Sequence, residues 1–296
     1  MQTMNYIVTM TSWKKRIQYV KNAIEKFLQN TPVYIDKFYL WLAEEEFPSK
    51  EADLPAELVK FVYDNSHVEI KWTKYNEYCH KRWYVYPEHF ENCVISIDDD
   101  AYYNCDGLDK AIAFALKNKC IVNLADLFYS NVFNHSIHKE VIHWYSKEPS
   151  KYTVLCGQCI IPPRVFPLEC LNEDNIRIRS KICKRCDESW INPWLIKTGI
   201  NIYTPDYIVS QPTEYESRDA MWKIMAEYKN KFSFRDIQLF VVLNKFPELY
   251  ESWICAFPGY KKIKEDVQQI YDWAKTIDPD ITVKDIEKIP DYIRNH

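Results

Sequence analysis

Hydrophobic positions in the amino-terminal half of the chain follow two periods. Tyr6-Ile7-Val8-Thr9-Met10, Phe38-Tyr39-Leu40-Trp41-Leu42 and Val94-Ile95-Ser96-Ile97 are short β-branched or aromatic runs of strand length. Between the first two, Val20, Ala23, Ile24, Phe27 and Leu28 recur every three or four residues, while Lys21, Asn22, Glu25 and Lys26 fill the opposite face; this spacing predicts an amphipathic helix. Strand, helix and strand in that order form a β-α-β unit with a right-handed crossover into a parallel sheet. Val68 to Trp72 predicts a third strand, Leu108, Ile112, Ala115 and Leu116 another helix, Ile121 to Leu124 a further strand, and Thr153 to Ile161 a strand interrupted by Gly157. Beyond Tyr203 the period is helical: 215–228, 234–246 and the run Ile263, Val267, Ile270, Ala274, with Ser233 and Asp236 as a capping box. The pattern therefore predicts a three-layer α/β domain with a mostly parallel sheet over residues 1–210 and a helical carboxyl-terminal region over 211–296.

The chemistry concentrates where the Val94 strand runs into Asp98-Asp99-Asp100. Ligands of open α/β sheets bind outside the carboxyl ends of the strands, which is where these carboxylates fall. Three adjacent negative charges repel one another unless a cation or hydrogen bonds offset them. In an extended chain residues i and i+2 project to one side, so Asp98 and Asp100 can face one ion while Asp99 points elsewhere. Hard oxygen donors suit Mg²⁺ or Mn²⁺, which keep positions for water and substrate phosphates. The alternative is a solvated acidic turn.

Composition narrows the classes. The 296 residues carry a net charge of −4, which argues against a general nucleic-acid binder. Aromatic residues make up 16%, enough for core and for stacking on bases or sugars. No run reaches the ~18–20 apolar residues of a membrane span and the amino terminus has no signal-peptide pattern, so a cytoplasmic protein is expected, with peripheral contact at an inner membrane face left open. Among ten cysteines, Cys156, Cys159, Cys183 and Cys186 form two CxxC pairs. Four thiolates would close a structural zinc site, but the 23 residues between the pairs exceed the usual spacing of about 15–20, and free buried thiols are the other reading.

Taken together, the motifs resemble the DXD-containing, nucleotide-sugar-dependent glycosyltransferases of GT-A fold that assemble bacterial surface glycans. The resemblance is carried by the acidic triplet and by four pieces in order: Thr11-Ser12, Arg16-Ile17, Leu40-Trp41-Leu42, and Phe47-Pro48 before Asp53-Leu54-Pro55. It continues in the Lys81 phrase ahead of Tyr86-Pro87, in Gly157 before Pro162-Pro163, and in Asp187-Glu188 before Trp190. It implies a Rossmann-like GT-A domain that moves a sugar, foremost from a UDP-sugar, to a glycan or lipid-linked acceptor. By the same resemblance, Asp98 and Asp100 hold Mn²⁺ or Mg²⁺. Thr11, Ser12, Arg16, Lys81, Asp98 and Asp99 address the nucleotide. Asp187, with Glu188 as second candidate, takes the acceptor proton in an inverting transfer. Residue by residue, other readings stay open: Ser12 can cap a helix, Arg16 can be solvated, and Asp187 can cap the helix it opens.

The basic cluster Arg177, Arg179, Lys181, Lys184 and Arg185 reads either as a solvated face or as contact with phosphate on a lipid-linked acceptor. His135, His138 and His143, in a polar, aromatic stretch over 129–152, are weak candidates for a metal shell, and the helical region leaves a homodimer open. Two rival functions remain. A sugar nucleotidyltransferase would announce itself with a Gly-rich amino-terminal loop, yet no glycine precedes Gly107. A zinc-stabilised interaction module would rest on the CxxC pairs.

Overall fold

The structure is a computed structural model that describes residues 4–124, 155, 157–183, 186–207, 209–213 and 234–257. Its strands are β1 (Tyr6–Thr11), β2 (Lys37–Ala43), β3 (Val68–Thr73), β4 (Cys93–Asp98), β5 (Ala101–Tyr103), β6 (Ile121–Asn123), β7 (Cys159–Ile161), β8 (Ile202–Tyr203) and β9 (Ser210–Pro212). The helices are α1 (Ile17–Asn30), α2 (Ala56–Asp64), α3 (Tyr86–His89), α4 (Cys105–Asn118), α5 (Glu173–Ile182), α6 (Asp187–Thr198), α7 (Phe234–Lys245) and α8 (Pro247–Ala256).

Seven strands form one sheet in the order β3-β2-β1-β4-β7-β6-β8. Every pairing is parallel except those of β7, which runs against both β4 and β6. Reversal of β7 matters for the site: Ser96 pairs with Cys159, so the chain enters β7 at the carboxyl end of β4, bringing Gly157 and Gln158 beside Asp98. A second, two-stranded sheet pairs β5 with β9 just past the acidic run.

Alternation along the buried strands sends side chains to two apolar layers. Val8, Met10, Phe38, Leu40, Ile95 and Ile97 join the face covered by Val20, Ile24 and Phe27 of α1 and Leu108, Ala111 and Ile112 of α4. Ile7, Tyr39 and Val94 join the other face, with Trp83, Tyr86, Trp190, Trp194, Leu249 and Trp253. The three layers expected from the pattern are therefore present. α4 starts at Asn104, whose side chain accepts from the Gly107 amide at 3.0 Å. α6 is apolar on nearly all sides and correspondingly buried from Ser189 to Ile196, ending at Gly199 with φ +70°, a left-handed cap that a Cβ would strain. Phe246, between α7 and α8, packs edge-on against Trp190 and Trp194 at 5.7 and 5.3 Å, so the described carboxyl-terminal helices share a core with α6.

Several elements differ from the pattern-based expectation. Of the strand expected over Thr153 to Ile161, β7 is present, with Gly157 and Gln158 in a bend before it that turns their polar groups to the site, while Thr153, Val154 and Cys156 lie outside the described residues. The segment ahead of Tyr86-Pro87 is a 3-10 helix, Tyr78–Val85, then a single α-turn; its aromatic rings fill the core, Tyr86 stacking on Phe166 at 4.0 Å. α2 and the β5–β9 pair had no periodic signature, being short and only partly buried or paired at long range. The helices expected at 215–228 and 263–274, Ser233 and the histidine stretch 129–152 lie outside the described residues. Among the described residues no helix is long and apolar enough to cross a membrane.

Ile95 is fully buried in the central strand between β1 and β7. Ile95→Ala should destabilise the protein by about 2–5 kcal/mol, read as a lower denaturant midpoint with an unchanged slope.

Candidate functional site

β4 ends at Asp98, and Asp99 and Asp100 form a turn rather than more strand. The i, i+2 alternation that an extended chain would give does not carry through that turn. Instead the three carboxylates divide between two guanidiniums. Asp98 meets Arg82 Nη1 at 2.6 Å through Oδ1 and accepts from Gln158 Nε2 at 2.9 Å through Oδ2. Its backbone amide donates to the Tyr103 hydroxyl, which itself donates to Gln158 Oε1. Asp99 accepts from Ser12 Oγ at 2.5 Å and pairs with Arg16 Nη2 at 2.6 Å; Arg16 Nη1 pairs with Asp100. Of the three side chains Asp98 is the most open, at 26% exposure against 2% for Asp99 and 10% for Asp100.

Arg82 is the residue that the sequence analysis passed over. Its side chain is 7% exposed and lies between strand end and helix start: Nη1 meets Asp98 and donates to the Gly157 carbonyl at 3.1 Å, and Nε sits 3.9 Å from Asp187 Oδ2. Asp187 opens α6, 3% exposed, and accepts from the Trp83 indole N–H at 2.8 Å. Burial works against the charge on Arg82, but the carboxylates of Asp98 and then Asp187 outweigh it, and its pKa is raised. The only hint in the sequence was two adjacent cations, Lys81 and Arg82, set among aromatic residues. Charges in such company need buried partners.

The residues expected to address a nucleotide do gather at the same strand ends, with different local duties. Thr11 Oγ1 donates to the Trp41 carbonyl at 3.1 Å and so ties β1 to β2. Ser12 does not cap α1; that position is Arg16, which makes no side-chain cap and is held by Asp99 and Asp100 rather than solvated. Lys81 is 1% exposed, donating to Asn76 Oδ1 at 3.1 Å and to the Ser12 carbonyl at 3.4 Å, with Glu46 3.9 Å away. Burial lowers its pKa to about 8 despite Glu46, and burial raises the pKa of Glu46. Glu188 is half-buried and accepts from the Cys186 thiol at 3.2 Å. Asp187 makes no side-chain cap on α6, whose N-cap residue is Cys186.

The donor chemistry of Asp98 and Asp100 fits a hard divalent ion, but only as part of a shell. Among the described residues no group of three or more His, Cys, Asp or Glu could hold one. An ion there would share Asp98 with Arg82 and take its remaining positions from water and substrate phosphate. Of the cysteine pairs, Cys156 lies outside the described residues. Cys159 is buried in β7, while Cys183 and Cys186 are buried ahead of α6, the Cys183 thiol donating to the Cys186 carbonyl at 2.9 Å. The basic cluster is not one face. Arg177 is exposed, whereas Arg179 is buried to 1% against Glu77 and Tyr84, where burial lowers its pKa to about 10. Lys184, Arg185 and the Lys181 side chain lie outside the described residues.

A solved structure shares this fold. The mannosyltransferase PcManGT from Pyrobaculum calidifontis, in complex with GDP-Man and Mn²⁺, matches with a TM-score of 0.53 at 10% identity, over 99% of this chain and 87% of that chain. S. aureus TarS 1-349 matches with a TM-score of 0.47 at 14% identity, over 99% of this chain and 92% of that one. No protein-family model matches the sequence, and no curated protein matches it. The fold is of GT-A type, as the motifs imply.

Next to the site, His80 is buried and donates through Nε2 to the Cys183 carbonyl at 2.6 Å, its Nδ1 having no hydrogen-bond partner among the described residues. Burial lowers its pKa from 6.5 to about 4. The unfolded chain therefore binds a proton that the folded chain refuses between those values. The resulting stability is complete above about pH 6.5 and is lost as pH falls toward 4, by at most about 3 kcal/mol. His80→Gln should flatten the stability profile over that window while leaving the profile above pH 7 parallel, as measured by urea unfolding at a series of pH values.

Proposed function

We propose that the protein transfers a sugar from a nucleoside-diphosphate donor, a UDP-sugar foremost, to a hydroxyl of a glycan or lipid-linked acceptor in the assembly of a bacterial surface glycan. The observation that carries this reading is convergence. On a GT-A fold, an acidic run ending β4 and a carboxylate opening α6 meet at one buried guanidinium. PcManGT, which shares the fold, binds GDP-Man and Mn²⁺. That complex supports a nucleotide sugar and a divalent metal here as well.

In this reading the bond between the anomeric carbon and the diphosphate oxygen breaks as a bond to the acceptor oxygen forms, with inversion. A divalent ion held by Asp98 and Asp100, when bound, supplies the positive charge that neutralises the departing diphosphate. Arg16 and Lys81, beside the β1 end, add cationic character along the same side. Ser12 and Arg16 keep Asp99 turned inward, so it shapes the turn. Asp187 receives the acceptor proton, its carboxylate oriented by Trp83 and faced by Arg82. Glu188, more exposed, is the second candidate. The cytoplasmic face of a membrane, where a lipid-linked acceptor would sit, is the proposed location.

Two substitutions test the assignment with purified protein, a panel of nucleotide sugars and Mn²⁺. Asp100→Asn should abolish Mn²⁺-dependent nucleotide binding and lower transfer by at least about 100-fold. Retained transfer would reject the reading. Asp187→Asn should lower kcat by about 10²–10⁴-fold with donor binding intact, and Glu188→Gln should cost less than about 10-fold. The opposite ranking would move the base to Glu188.

A further inference from the structure

We propose that Arg82 is the positioning residue of this site, and that Gly157 is the space it requires. The guanidinium lies between two elements that share no backbone hydrogen bond, the end of β4 and the start of α6, and reaches a carboxylate on each. A third contact, from Nη1 to the Gly157 carbonyl, fixes it against the bend that leads into β7. That carbonyl also accepts from Ser96 Oγ at 2.7 Å, so the bend is pinned to β4 as well. The Arg82 backbone is held from the other side, its carbonyl accepting from Thr9 Oγ1 at 2.8 Å. Both ends of this side chain are thus fastened to the sheet, and what it holds in register is the distance between Asp98 and Asp187.

Gly157 has no positive φ, so its lack of a side chain answers a steric need rather than a conformational one. A Cβ there would stand 3.1 Å from Arg82 Nη1 and 3.8 Å from Asp187 Oδ2. One added methyl would therefore press on the guanidinium without altering any charge. The pressure cannot dissipate easily, because the same Nη1 is held by Asp98 at 2.6 Å. The group that approaches Gly157 closely is this side chain.

For its kinetic consequence the inference rests on the glycosyl-transfer reading, in which Asp98 belongs to the donor side and Asp187 to the acceptor side. The tie between them is a property of the chain and has its own reporter, the Trp83 indole N–H that bonds Asp187. The test compares Arg82→Met, Arg82→Lys and Gly157→Ala with the unsubstituted protein. The Trp83 indole signal is followed by NMR, identified by its loss in Trp83→Phe, alongside kcat and donor KM. In Arg82→Met and Gly157→Ala the Trp83 N–H should shift and exchange with solvent about 10-fold faster, while the other indole signals stay in place. In the same variants kcat should fall by about 100-fold, the effect of an ångström-scale misplacement. Donor KM should change by less than about threefold. Arg82→Lys, which keeps the charge but loses the fork, should lie between.

If Arg82→Met does not fold, Gly157→Ala and Arg82→Lys carry the test. An unmoved Trp83 signal in the folded variants overturns the proposal, and so does a moved signal with kcat unchanged. Absence of transfer by the unsubstituted protein rejects the transferase reading alone, and the indole signal still decides whether Arg82 holds Asp187.

Discussion

The structure at the carboxyl end of the sheet is governed by charge compensation with little water. Asp98, Asp99, Asp100 and Asp187 lie within reach of two guanidiniums, and both guanidiniums are largely buried. A buried carboxylate or guanidinium left alone costs several kcal/mol, so neither set can be present without the other. The partition is asymmetric. Arg16 takes the two inner carboxylates of the turn, where Ser12 completes the shell of Asp99. Arg82 takes the outer one and reaches across to α6. The most exposed carboxylate of the run is consequently the one tied to the more buried of the two guanidiniums. Asp98 is thus the carboxylate most open to solvent and is already held in place.

Sheet topology makes this arrangement possible. In an all-parallel sheet the chain would approach the strand beside β4 at its amino end, far from Asp98. Because β7 is reversed, its entry bend falls at the carboxyl end of β4, and the side chain of Gln158 and carbonyl of Gly157 become available there. Tyr103 of β5 closes the other side, linking the Asp98 amide to Gln158. Arg82, Tyr103 and Gln158, from three separate segments, thereby converge on a single residue, Asp98.

Much of this was legible in the chain and some was not, for identifiable reasons. β1 to β4, α1 and α4 followed from periodicity, because buried strands and amphipathic helices impose it. The acidic run stood out as clustered charge at a strand end, and Asp187-Glu188, with the helix it opens, through the resemblance to the GT-A glycosyltransferases. Alternation within the run does not follow from the strand, because it holds only while the chain stays extended and β4 stops at Asp98. Arg82 was invisible for a different reason. Nothing in Lys81-Arg82 distinguishes a solvated pair from a buried one; the information sits in Asp98, Gly157 and Asp187, which are distant in sequence. The cluster containing Arg179 misled in the opposite direction, since charge density suggested a wet face while Glu77 and Tyr84 supply the partners that bury it.

The position of Asp187 depends further on how α6 is seated. That helix contains Pro193, whose missing N–H removes one intrahelical bond, and its stability must come from packing rather than from its own ladder. Asn192 contributes by pairing with the backbone of Leu155, accepting from its amide at 2.6 Å and donating to its carbonyl at 3.1 Å, two residues before Gly157. Trp190 and Trp194 lie against Phe246, so α7 and α8 press α6 toward the sheet. A carboxylate at the first turn of a helix is only as well placed as the helix itself. The described carboxyl-terminal helices therefore fix the axis along which Asp187 is presented to Arg82, and they belong to the architecture of the candidate site although they contribute no group to it.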